Sequence, residues 1–318
     1  MPAYFKLQKI DAKSKSSNHA EMVMIERDEC YECAMPTVAS ITFKEFKESD
    51  LYELAPKFSP LKLMNLDNNF AEDYPDYIVG SFSIPSKETH PDEPSDFAFY
   101  MDKNILVFID DSGFSKKLLE GIADSGMITE ASTAHCLQLF LKVMLSDDMV
   151  FLSKLEDEME SIEESLLVKH SEIDTPVIMG YRRLAIHLSS FYEQITAMAS
   201  LISDNENKLL THEETQIFRH ISNMGSRLAT RTNTLKEYSL QLCEMQQTRI
   251  DMQQNSIMQV LTIVTVLLAP MTLVTGWFGM NLNVMPGIDV EFMWLALLIT
   301  FVVCTGFLLV IFYRKKWL

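Results

Sequence analysis

MQQNSIMQVLTIVTVLLAPMTLVTGWFGMN, residues 252–281, carries no charged side chain, and the charge-free run extends to Ile288. A second run without charge covers Phe292 to Tyr313. Each is long enough to hold the ~20 apolar residues that cross a bilayer, which places spans at about 257–278 and 292–313. The loop between them, 279–291, holds Asp289 and Glu291, whereas Arg314, Lys315 and Lys316 follow the second span in the short tail 314–318. Basic residues mark the cytosolic side, so both termini are expected in the cytosol, with the loop outside.

The rest of the chain reads as the extramembranous part of this membrane protein. Of its 318 residues 44 are Asp or Glu and 27 are Lys or Arg, a formal charge of −17, with 47% hydrophobic residues and only 10 Gly. This excludes a nucleic-acid binder and a collagen-like chain. A mean hydropathy of +0.04 is high for a chain with 22% charged residues, and the two spans account for it. Acidic and basic residues cancel within 251–318, so the whole −17 falls on residues 1–250. Such a domain attracts cations and disfavours anionic partners. The five cysteines, Cys30, Cys33, Cys136, Cys243 and Cys304, are odd in number and scattered, which indicates a reducing compartment. Met1-Pro2-Ala3-Tyr4-Phe5-Lys6 has no apolar core, so no signal peptide is expected.

Residues 1–127 read as an α/β domain. Tyr4 to Ile10, Tyr77 to Ile84, Phe97 to Met101 and Ile105 to Ile109 are strand-like, the last two joined by the turn-prone Asp102-Lys103-Asn104. Phe43 to Phe58 and Ser115 to Ile122 have helical spacing, and Pro85 to Pro94 reads as an exposed loop. Residues 128–250 read as long helices and a stalk. Thr129 to Glu206 fits two helices with a break at Asp174-Thr175-Pro176. From His212 no proline occurs before Pro270, enough for one helix of about 85 Å. Along it Ile221, Leu228, Leu235 and Leu242 recur every seven residues, with Ile217, Met224, Tyr238, Met245 and Met252 interleaved and Arg231 interrupting. This is a coiled-coil-like seam, facing the chain's own helices or other subunits. Residues 251–318 form the third unit, the two-span membrane domain.

On the first span Thr265, Ala269, Thr272 and Gly276 stand at i, i+4, i+7 and i+11, a small or hydroxylated stripe on an otherwise Leu/Val/Ile/Met helix. Such a stripe packs helices together or lines a pore. Toward the cytosol the stripe meets Leu261 and Met258, apolar residues able to gate by dewetting. At the outer end stand Gly279, Met280 and Asn281, followed by Leu282-Asn283-Val284-Met285-Pro286.

Here the sequence resembles the CorA-type magnesium channel family, marked by Gly-Met-Asn after the first of two C-terminal spans, Met-Pro a few residues on and a basic tail. Pro270-Met271-Thr272 and Gly276 belong to the same resemblance, and so does the order of domains. The resemblance implies a homopentamer with the first span inside and the second outside, in a cell membrane, with Gly279, Met280 and Asn281 as selectivity filter and Mg²⁺ as the transported ion. The chemistry agrees. Mg²⁺ gives up its water reluctantly, and a ring of Asn281 amide oxygens accepts hydrogen bonds from that water shell without gripping the ion. Met258, Leu261, Thr265, Ala269, Thr272 and Gly276 are the expected lining, and Asp289 and Glu291 the loop residues that draw cations in. For two charges at 100 mV the inward drive is about 4.6 kcal/mol.

An oligomer of chains bearing −17 each needs screening, which suggests that cytosolic Mg²⁺ bridges acidic faces and closes the channel. Glu156, Glu160 and Glu163 share one face of an acidic helix and are the candidate regulatory ligands; a solvated helix face gives the same pattern. The family's regulatory aspartate falls near His220, so no sensor residue is transferred. Gly287 stands where many members carry Glu after Met-Pro, and Leu282 where an aromatic residue commonly follows the asparagine.

Cys30 and Cys33 have the spacing of half a zinc site without a second pair. No phosphate loop, nucleophile elbow or zincin spacing occurs, so no enzyme is expected and transport should run down a gradient. Two alternatives stay open: a Co²⁺, Ni²⁺ or Zn²⁺ transporter of the same superfamily, and a two-span sensor that does not conduct.

Overall fold

A computed structural model describes residues 2–9, 20–25, 35–48, 69–87, 95–168, 175–280 and 292–314. The chain divides into two compact units, Met1–Cys243 and Glu244–Leu318.

In the first unit, seven strands form one sheet: β1 (Ala3–Lys9), β2 (Ala20–Ile25), β3 (Thr37–Ile41), β4 (Phe70–Asp73), β5 (Ile78–Ile84), β6 (Ser95–Met101) and β7 (Ile105–Ile109). Their order is β2-β1-β3-β7-β6-β5-β4. Only β3 and β7 run parallel; the other neighbours are antiparallel. Both faces of the central strands are covered, which is why Ile105–Ile109 reads as a continuous apolar run. One face gathers Tyr4, Ala39, Ile41, Val79, Ala98, Tyr100, Val107 and Ile109 around Phe46 of the short helix α1 (Phe43–Lys47). On the other face Phe82, Phe97 and Phe108 meet Phe140, whose ring stacks on Phe108 at 4.3 Å. The β6–β7 hairpin closes where expected, with Asp102 Oδ1 accepting from the Asn104 and Ile105 amides at 2.7 Å each.

Among the described residues four further helices precede the stalk: α2 (Phe114–Ser125), α3 (Thr133–Met144), α4 (Asp148–Leu167) and α5 (Thr175–Asp204). The expected pair over Thr129–Glu206 is thus three helices. The extra break falls at Leu145–Asp147, because Asp148 is 1% exposed. Its carboxylate pairs with Lys87 and accepts from the Tyr192 hydroxyl at 2.9 Å, which turns the chain inward at the start of α4. The break before α5 and its Thr175-Pro176 start agree with the sequence. Strands β2, β3 and β4 had no counterpart in the sequence reading. Of the expected helix Phe43–Phe58, residues 49–58 lie outside the described residues, as do 88–94 of the expected loop.

The stalk begins α6 (His212–Phe278), a helix of 67 residues. Thr211 and Glu214 cap it: the Thr211 amide donates to Glu214 Oε2 at 2.8 Å, and the Glu214 amide to Thr211 Oγ1 at 3.3 Å. Within the first unit its buried line is Phe218, Ile221, Gly225, Leu228, Thr232, Leu235, Ser239 and Leu242, a strict alternation of three and four residues. The leucine line is as expected. The interleaved line is shifted by one residue, since Ile217, Met224 and Tyr238 are only half-buried. Small residues occupy the true seam because the helices approach closely: a Cβ at Gly225 would stand 2.7 Å from Thr196 Oγ1. The seam therefore packs on the chain's own α5. Thr232 donates to its own helix at Leu228 O, 2.8 Å away, so Thr232→Val leaves no partner stranded. A change of under about 1 kcal/mol is expected in thermal unfolding; a much larger loss would mean that the hydroxyl serves a neighbour.

Candidate ion-conduction stripe and the acidic helix

In the second unit α6 continues to Phe278, and α7 (Met293–Arg314) follows. The most apolar stretch of α6 has mean hydropathy 2.2, and none of it is buried. Met258 and Leu261 are 63% and 65% exposed, and Thr265, Ala269, Thr272 and Gly276 are exposed as well. Ile263, Val266, Leu267, Pro270 and Val274 are instead half-covered. At about 100° per residue the half-covered line lies on the opposite side of the helix from the threonine-glycine stripe. On α7 a similar line, Phe301, Thr305, Leu308 and Ile311, is half-covered, and Phe312 is buried. The side of α6 shielded within this unit is thus not the stripe.

The stripe is chemically one-sided. Thr265 Oγ1 donates to Leu261 O at 2.7 Å and Thr272 Oγ1 to Leu268 O at 3.0 Å, a common use of hydroxyls on membrane helices. Their hydrogens are spent, and what each hydroxyl offers outward is oxygen lone pairs. A Cβ at Gly276 would meet nothing within 4 Å, so nothing inside the chain demands glycine there, in contrast with Gly225. The helix closes through Gly279 N to Thr275 O at 2.9 Å and Met280 N to Trp277 O at 3.4 Å. Asn281, Leu282, Gly287, Asp289 and Glu291 lie outside the described residues, as do Cys30 and Cys33.

The acidic face of α4 is occupied within the chain. Glu156 pairs with Arg231 and Glu163 accepts from the Tyr238 hydroxyl, both on α6, while Glu158 accepts from Tyr181 of α5 at 3.0 Å. Glu160 is exposed. Among the described residues no group of three His, Cys, Asp or Glu side chains is placed to hold a metal. Glu156, Glu160 and Glu163 are therefore not a metal centre of one chain, and the face is neither simply solvated nor a preformed site. Sequence reading missed these pairs because the partners are some 75 residues away.

Burial raises the Tyr238 hydroxyl above its ordinary value, with the Glu163 hydrogen bond second and the charges of Glu163, Glu160 and Glu156 behind it. Burial, then Glu158, pushes Tyr181 up to about 12, and burial followed by the Asp148 charge raises Tyr192. A raised tyrosine stabilises the fold fully below the unfolded value of about 10, and that stability is lost as pH climbs through the folded-state values. Unfolding free energy should hold steady to pH about 9 and fall above about 10, with a shallower fall in Tyr238→Phe; denaturant titrations across that range check it.

An acidic domain on long helices, one of which runs unbroken into an apolar, unburied span, is the build of a membrane protein with a large extramembranous part. Residues 59–315 match the family described as CorA-like Mg2+ transporter protein, and the chain belongs to that family. It is a divalent cation transporter of the CorA family. The chain is 23% identical over 252 residues to the cobalt/magnesium transport protein CorA of Thermotoga maritima, covering 78% of this chain and 72% of that one. The divalent cation transporter CmaX of Pseudomonas aeruginosa is 26% identical over 191 residues, 58% of this chain and 57% of its own length. Among solved structures, that of the complete CorA magnesium transporter from Methanocaldococcus jannaschii superposes with TM-score 0.73 at 20% identity, covering 100% of this chain and 99% of that chain. Full-length CmaX gives 0.72 at 16% identity, over 99% and 97%.

Proposed function

We propose that this chain is a channel for Mg²⁺, driven inward by the membrane potential and built from several copies, in the family manner five. The observation that carries the reading is the exposed threonine-glycine stripe, turned away from the side its own unit shields and offering only acceptors. One or two helices cannot enclose water; several copies of α6 around an axis can, with α7 as the second span outside. The spans, the outer loop 279–291 and the cytosolic placing of both termini follow the charge pattern, in a cell membrane. The division 1–127, 128–250 and 251–318 describes its parts: a cytosolic α/β domain, the long helices with the stalk, and the membrane pore domain.

A cation's water shell points hydrogens outward, and the Thr265 and Thr272 oxygens accept them. Asn281, with Gly279 and Met280 shaping the turn, selects at the outer mouth, Asp289 and Glu291 raise the local cation concentration, and Met258 and Leu261 form the closing constriction. Cytosolic Mg²⁺ holds the channel shut by screening acidic faces between copies, Glu160 among them, since Glu156 and Glu163 are engaged with their own stalk.

The test is Mg²⁺ uptake by proteoliposomes holding the full chain, with an inside-negative potential and Co²⁺ or Zn²⁺ as competitor. Mg²⁺ flux that the potential drives is the expected result. Flux of Co²⁺ or Zn²⁺ without Mg²⁺ would replace the ion, and no flux of any ion would remove the pore.

A further inference from the structure

The stalk helix α6 and α3 begin against each other, and one carboxylate serves both beginnings. Ser132 caps α3 by accepting from the His135 amide at 3.5 Å, and its hydroxyl donates to Glu214 Oε1. Glu214 Oε2 accepts from the Thr211 amide at 2.8 Å and from the Thr211 hydroxyl at 2.9 Å. Glu214 therefore closes the first turn of α6 and ties that turn to α3. His135 stands one turn into α3 and is only 9% exposed. Its Nε2 meets Thr129 Oγ1 at 3.1 Å, while its Nδ1 is buried without a hydrogen-bond partner. An imidazolium carries a hydrogen on both ring nitrogens, and at Nδ1 that hydrogen would be buried with nothing to accept it.

Burial holds the His135 imidazole below its ordinary pKa; the charges of Glu130 and Glu214 act against this, and Lys142, two turns along α3, acts with it. The first turn of a helix disfavours a cation as well. Glu130, ahead of α3, is exposed, so Glu214 is the acid that joins the two helices. Ser132, Thr211 and Glu214 line a cavity of about 370 Å³ together with Asp102, Lys103 and Lys208, which gives the Glu214 carboxylate room to swing.

We propose that His135 is an acid-operated release at the root of the stalk: once protonated, its imidazolium takes the Glu214 carboxylate from Ser132 and Thr211, and the first turn of α6 parts from α3. A bond between two charged groups replaces bonds from neutral donors, and such charge-assisted bonds are the stronger kind. The junction is closed while the ring is neutral, at and above the ordinary value of about 6.5. It opens as pH falls through the lower folded-state value. The helix released at its root continues unbroken to Phe278, so the pH around the α/β domain becomes an input to the stalk. The device lies within the first unit and does not depend on the pore reading.

Hydrogen exchange of the full chain in detergent, read by mass spectrometry at about pH 7.5 and about pH 5 and corrected for the intrinsic rates, tests this. Protection over 132–138 and 211–217 should fall about five- to tenfold at the lower pH, the size of a lost helix cap, while amides of α5 keep theirs. His135→Gln, neutral at both pH values, should show no such step. Glu214→Gln should protect 211–217 less at both pH values, again without a step. A wild-type chain that shows no step overturns the proposal. A wild-type-sized step in either variant does so too; in His135→Gln it would assign the titration to Glu214 itself. Protection lost evenly over the whole first unit would mean a general loosening in acid, and overturns it equally.

Discussion

Replacing Asn281 by alanine is expected to cut potential-driven Mg²⁺ uptake at least tenfold, the largest functional effect of any single change proposed. In the proposed filter the amide oxygen serves as a neutral acceptor for the ion's water shell. If each of five amides contributes about 0.5–1.5 kcal/mol, losing the ring raises the entry barrier by several kcal/mol, and each 1.4 kcal/mol is tenfold in rate. Asn281→Asp separates acceptor from charge: it keeps the oxygens, and it should hold Mg²⁺ more tightly and pass it more slowly. Uptake in Asn281→Ala proteoliposomes equal to wild type would place selection elsewhere in the chain.

Gly225→Leu is expected to have the largest effect on stability. The first added atom would stand 2.7 Å from Thr196 Oγ1 and 3.4 Å from the Thr196 amide nitrogen, so the hydroxyl, which donates to Tyr192 O at 2.7 Å, must shift, with the α5 backbone already in contact behind it. Overpacking of this kind costs about 3 kcal/mol, which lowers Tm by about 6–12 °C in a domain of this size. Circular dichroism melts of the full chain in detergent measure it. Gly225→Ala should lose less, and combining it with Thr196→Ala should recover part of the loss, because the two sites touch. Melting unchanged in Gly225→Leu would mean that α5 and α6 do not meet at this seam.

Much of this was legible residue by residue. Ile105–Ile109 and Phe97–Met101 announce themselves as strands by continuous apolar content, and Asp102-Lys103-Asn104 by its turn chemistry. Thr37–Ile41 escapes because Thr37, Ala39 and Ser40 dilute a strand that is nonetheless fully buried, and Phe70–Asp73 because it is four residues long and ends in two acids. The leucine line of the stalk shows in the sequence, whereas Gly225, Thr232 and Ser239 do not: a search for apolar side chains passes over the small residues that let helices close up. The break at Leu145–Asp147 depends on Lys87 and Tyr192, and the use of Glu156 and Glu163 on Arg231 and Tyr238. No local pattern carries such distant partners. The stripe on α6 was fully legible, because helical spacing alone defines it; which side of the helix stays uncovered was not.

In the proposed pore, the spent hydroxyl hydrogens of Thr265 and Thr272 give the lining a polarity of its own. Water around an anion turns oxygens outward, and a wall of lone pairs has no hydrogen to meet them, so such a wall can reject chloride without bearing any charge. Discrimination of this kind does not titrate and is not screened. It should persist in acid and in concentrated salt, where a fence of carboxylates would fall silent.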